Sequence, residues 1–60
     1  RSLYFVRDMQ AGDVVTADCI RSVRPGFGLP PKFYDDLIGK RVTRDIAANT
    51  KTSWDCFEAA

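Results

Sequence analysis

Histidine is missing from these 60 residues. That removes the commonest general base and the commonest metal ligand. Cysteine is scarce: Cys19 and Cys56 are the only two. They lack C-x-x-C spacing, which argues against a zinc site, and with no histidine to activate it, neither is placed to be a nucleophile. No apolar run approaches the ~18 residues of a membrane span, and no signal-peptide pattern is present. The phosphate-cradling Gly-Lys-Ser/Thr loop is absent. Gly26-Phe27-Gly28 opens a dinucleotide-like fingerprint, but its third glycine would fall on Pro31, and no βαβ unit surrounds it. Basic and aromatic residues do not form the patterned sets of nucleic-acid modules. The expectation is a chain with no catalysis and no metal or other cofactor of its own, and with neither nucleic acid nor membrane as partner.

The chain is long enough for one domain spanning 1–60, and it buries only about 60% of its unfolded surface. It has no room for a deep cleft of roughly 300 Å³ or more. Such a domain works with its surface or as part of something larger. The chain opens on Arg1 rather than methionine, which predicts a piece of a longer polypeptide or a processed product. A 45% hydrophobic and 28% charged composition is that of a folded domain rather than a disordered one. The net charge is +1 but unevenly placed: residues 21 to 44 carry +4 and the remainder −3. The basic insert suits an anionic small molecule or an acidic partner, or is a solvated rim.

What is present is a duplication. The stretch Arg7 to Ile20 returns 37 residues further on as Arg44 to Phe57. The Arg-Asp pair, one alanine, a second aspartate and the cysteine are identical in the two copies. Gly12 and Asn49 share a position, and both residue types tolerate the left-handed conformation of a tight turn. Two copies are too few for a solenoid; they predict one small domain with pseudo-two-fold symmetry. Cys19 and Cys56 occupy equivalent positions, and free cysteine is commonly buried. Two reduced thiols in a cytoplasmic protein are expected, with a single disulfide as the alternative. Strands are predicted over Leu3–Val6, Ile20–Val23 and Arg41–Ile46. Short helical turns, capped by Thr16 and Ser53, should begin at Ala17 and Trp54. A helix is predicted from Pro31, suited to the first helical position, to Ile38, with Gly39 as its stop. The fold class is mostly β and irregular.

The segment outside the repeat, residues 21 to 43, is the better place to look for function. Its Arg24-Pro25-Gly26-Phe27-Gly28-Leu29-Pro30-Pro31 run combines glycines with freedom-removing prolines. A stiff connection of this kind would present the Arg24 guanidinium, a planar fork suited to a carboxylate or carbonyl, with little ordering cost. The competing reading is a plain turn with Arg24 in solvent.

The whole chain resembles a SAF domain, the β-clip fold shared by type III antifreeze proteins and sialic acid synthases. The likeness is carried by Arg1-Ser2-Leu3, Arg7-Asp8-Met9-Gln10-Ala11-Gly12, Arg24 to Lys32, Ile38-Gly39-Lys40 and Ser53-Trp54-Asp55. The Arg-Pro-Gly-x-Gly loop is similar to that of bacterial synthases of sialic, legionaminic and pseudaminic acids. The tail and the Gly28-Leu29-Pro30-Pro31-Lys32 wording look more like the pseudaminic branch. The resemblance implies a parent enzyme that condenses phosphoenolpyruvate with an N-acetylated amino sugar in a TIM barrel using a divalent metal. It implies a domain-swapped homodimer in which this domain caps the partner subunit's barrel. Arg24 would then reach the sugar's N-acetyl group, with Gly26, Phe27 and Gly28 shaping the lid. The alternatives are a binding module of another carbohydrate enzyme or of a flagellar or pilus chaperone, and an ice-binding protein. Ice binding fits less well, because Arg7, Asp8, Asp13 and Asp18 put charge where that family has a flat, uncharged surface.

Overall fold

Leu3 and Phe5 alternate with Ser2 and Tyr4, and this period of two sets strand β1 (Ser2–Phe5) with Leu3 and Phe5 turned into the core. Strand β2 (Ile20–Val23) pairs with it antiparallel, Tyr4 opposite Arg21 and Phe5 opposite Ile20. A computed structural model describes residues 1–24 and 26–58. The remaining sheet-like contacts are isolated bridges: Tyr4 with Lys51, Met9 with Ile46, Val14 with Arg41, and Val42 with Phe57.

The strand expected over Arg41–Ile46 is therefore not continuous. Arg41, Val42 and Ile46 each bridge a different segment, and the chain bends at Thr43 and Arg44. A residue run with three successive partners cannot keep one ladder straight. The helix expected over 31–38 is split. Pro31–Phe33 is a 3-10 turn, α1 is Tyr34–Leu37, and Ile38 is already extended. Gly39 follows at φ 93°, a left-handed stop.

The repeated sequence makes repeated contacts. The amide of Gly12 donates to the Val42 carbonyl (2.9 Å), and that of Asn49 donates to the Phe5 carbonyl (2.7 Å). Both turn residues have positive φ, 89° for Gly12 and 72° for Asn49. Met9 and Ile46 exchange amide bonds of 2.7 and 2.8 Å with each other. Each Asp of the two Arg-Asp pairs reaches the opposite copy: Asp8 accepts from the Ala48 amide (2.8 Å) and Asp45 from the Ala11 amide (2.9 Å). The two copies are thus clasped to each other by carboxylates.

The core is drawn from both copies. Met9, Val15, Cys19 and Ile20 from the first lie in one cluster with Ile46, Cys56 and Phe57 from the second, joined by Leu3 and Phe5 of β1, Leu37 of α1 and Val42. Phe5 stacks on Phe57 with ring centres 5.6 Å apart. Cys19 and Cys56 are buried and unbridged.

Candidate functional site

Thr16 and Ser53 do not cap backbone amides as expected. Thr16 donates its hydroxyl to Asp18 Oδ1 and lies 3.3 Å from Cys19 Sγ; Ser53 donates to Asp55 Oδ1 and lies 3.3 Å from Cys56 Sγ. A hydroxyl has one proton. With that proton given to the carboxylate, its oxygen accepts from the thiol. Arg7 closes the first cluster on Asp18 at 2.7 Å, and Arg44 reaches Asp55 at 3.5 Å. The hydroxyl bond is the largest cause holding each aspartate below its usual 3.8, with the arginine adding to it. These duplicated clusters are structural. They hold the buried sulfurs in place and offer no open reacting atom.

The non-repeated loop is built differently. β2 ends at Val23, and Arg24 follows in an exposed bend. Pro25 lies outside the described residues, as do Ala59 and Ala60, and so does the expectation that Pro25 stiffens the loop. Gly26 and Phe27 are exposed, Phe27 to 68%. The chain then closes tightly on β1. The Gly28 amide donates to Ser2 Oγ (2.8 Å), the Leu29 amide to Thr52 Oγ1 (3.0 Å), and the Leu3 amide to the Leu29 carbonyl (2.8 Å). A Cβ on Gly28 would stand 2.2 Å from the Leu3 carbonyl oxygen, so only glycine fits this approach. On Gly26 a Cβ would meet Arg1 backbone at 3.0 Å.

The candidate residues therefore divide. Arg24 and Phe27 lie outward, free to meet a ligand. Gly28 is half-buried and serves as the clamp that sets the loop on β1. Among the described residues the ion pairs are those of Arg7 and Arg44, and Arg24 enters neither. Beside the loop, Trp54 (50% exposed) meets Phe33 edge-on at 5.0 Å, and the Lys32 ammonium sits 5.2 Å from the centre of the Phe33 ring.

Sequence reasoning missed Ser2 and Thr52, the two hydroxyls that hold the loop. Both are 2% exposed. Thr52 stands where the first copy has Val15. This departure from the repeat was the signal, because Thr52 also donates to the Leu3 carbonyl at 2.6 Å and so ties loop, β1 and second copy together. Among the described residues no three carboxylate or thiol groups gather as a metal site.

A family profile described as SAF domain matches residues 1–58. The chain is a SAF domain. Over 58 residues it is 40% identical to the pseudaminic acid synthase of Helicobacter pylori, covering 97% of this chain and 17% of that protein. It is 48% identical to the pseudaminic acid synthase of Campylobacter jejuni (serotype O:2) over 77% of this chain and 13% of that one. The crystal structure of the spore coat polysaccharide biosynthesis protein SpsE of Bacillus subtilis superposes with a TM-score of 0.87 at 34% identity, over 100% of this chain and 18% of that one. The antifreeze-like domain of human N-acetylneuraminic acid phosphate synthase has the same fold, with a TM-score of 0.87 at 21% identity over 98% of this chain and 76% of that one. The SAF domain described here spans less than a fifth of the length of the bacterial proteins it matches. Among its described residues no helix is long and apolar enough to cross a membrane.

Proposed function

We propose that this SAF domain is the substrate-enclosing part of a nonulosonic acid synthase, an enzyme that joins phosphoenolpyruvate to an N-acetylated amino sugar. In this reading the chemistry and its divalent metal belong to a TIM barrel outside these residues. The domain closes over the barrel of the partner subunit in a homodimer. Arg24 donates to the carbonyl of the sugar's N-acetyl group, and Phe27 covers it from water.

The observation that carries the reading is the exposure of Arg24 and of Phe27 beside a base tied to β1 at Gly28 and Leu29. The Ser2 and Thr52 hydroxyls and the Gly28 close approach hold the base to β1, which supports a lower ordering cost when the loop meets a ligand. The identities to pseudaminic acid synthases support the substrate class.

The test is Arg24→Ala in the full-length enzyme. A charge-assisted hydrogen bond is worth about 1.5–3 kcal/mol, which predicts a fall in kcat/KM of about 10- to 150-fold. The domain's own stability should move by no more than about 0.5 kcal/mol, as at other surface positions. Unaltered kinetics would remove Arg24 from the site.

A further inference from the structure

Two rows of three residues, related by the same 37-residue shift, lie across the sheet-like contacts and are filled differently. In one row Tyr4 is flanked by Arg21 on β2 and by Lys51 on the other side. The row related by the 37-residue shift has Arg41 flanked by Glu58, whose amide donates to the Arg41 carbonyl (2.8 Å), and by Val14. That second row carries one acid and one cation and so has no net charge, and the Arg41 guanidinium donates to the Gly12 carbonyl at 2.9 Å. The first row is not neutral. Arg21 and Lys51 are exposed, Tyr4 is half-buried between them, and among the described residues neither cation enters an ion pair. Two strand spacings put the cations' backbones about 10 Å apart. Like charges on one row with no acid cost a scaffold stability, and the other row shows that the same geometry accepts a neutral set.

We infer that the Arg21–Tyr4–Lys51 face is a docking surface for an acidic protein surface, supplied by polypeptide outside these 60 residues. The relatives extend well beyond this domain, which spans 17% of the Helicobacter pylori protein. The row is an exposed sheet face, where two hydrated cations hold a free anion only weakly against salt. A protein surface that excludes water over a wider area uses them better. Tyr and Arg, both present in this row, are among the residue types that dominate protein interfaces. The inference rests on the proposed function in one respect: it names what holds the domain in place while Arg24 contacts the sugar.

The test exchanges the rows within the full-length protein. Arg21→Glu with Lys51→Val installs the residues that the second row already carries at those positions, so the domain's thermal midpoint should not fall. Docking, read as resistance of the interdomain connection to limited proteolysis, should weaken roughly 10-fold at low salt, from two exposed charge pairs and one reversal. In the unaltered protein docking should loosen as salt rises from about 0.01 to 1 M, where screening tightens from roughly 30 to 3 Å; in the exchanged variant it should be flat. Arg21→Lys with Lys51→Arg should dock normally. Should the exchanged variant fold poorly, Arg21→Gln with Lys51→Gln reads the same loss. Docking that is equally tight and equally salt-dependent in the exchanged or Gln variants overturns the inference, as does saturation of the face by inorganic phosphate with docking intact. The two ideas separate cleanly. Normal docking with a kcat/KM loss in Arg24→Ala leaves the sugar contact standing without the row, and undocking with Arg24→Ala neutral does the reverse.

Discussion

Thr52 joins more of this molecule than any single residue singled out in the sequence. Its hydroxyl accepts from the Leu29 amide and donates to the Leu3 carbonyl while 2% exposed. Thr52→Val copies the first repeat, keeps the shape and strands the Leu29 amide. Urea denaturation should show a loss of about 1–3 kcal/mol, the cost of one buried unsatisfied donor. Gly28 is the companion case. Gly28→Ala puts a methyl 2.2 Å from a backbone oxygen, and neither partner is a flexible side chain. The loop must lift from β1, at about 1–3 kcal/mol, and in the full-length enzyme the displaced Arg24 should lower kcat/KM with it. A Gly28→Ala domain as stable as its parent would show that the clamp is not needed.

At the scale of elements, the two Thr/Ser-x-Asp-Cys turns explain a pH response. The hydroxyls of Thr16 and Ser53, with Arg7 and Arg44 behind them, hold Asp18 and Asp55 below the usual 3.8. A carboxyl depressed in the fold binds its proton less readily there than in the unfolded chain. Its stabilising contribution is complete above about pH 4 and disappears as pH falls through the depressed values. Thermal midpoints followed downward from neutral pH should be level and then drop below about pH 4. Asp18→Asn with Asp55→Asn should flatten that acid limb. The same elements show what was legible locally. β2 matched its predicted span, because Ile20 to Val23 has one partner throughout. β1 begins a residue early at Ser2, and its end at Phe5 follows from where pairing with Ile20 stops. The 41–46 strand failed because β-propensity cannot reveal that Arg41, Val42 and Ile46 bridge to Val14, Phe57 and Met9 in turn. The helix from Pro31 was visible in its proline start and glycine stop, but not its division into a 3-10 turn and a single α turn.

At the scale of the whole molecule, the duplication organises the core. Cys19 (4% exposed) and Cys56 (1% exposed) occupy matching sites under matching hydroxyls. Thiol reagents should modify both slowly in the native state and quickly in denaturant, with the two rates alike; one fast thiol would mean that the copies are not equally closed. The duplication also makes the differences informative. Where the copies disagree, as at Val15 against Thr52 or Val14 against Lys51, the repeat itself does not dictate the residue. The choice then serves the loop or the surface.

The sequence alone determined the duplication, the left-handed turns at Gly12 and Asn49, the burial of both cysteines and the singularity of the Arg24 loop. Each of these depends on residue type and spacing along the chain. Only the tertiary structure decided which glycine clamps and which residues stay outward, that Ser2 and Thr52 anchor the loop, and that Arg21 and Lys51 flank one tyrosine. Those facts join residues 17 to 49 positions apart through hydrogen bonds and strand pairing. Contacts of that kind are fixed by how the two copies close on each other, and no local pattern in the chain encodes them.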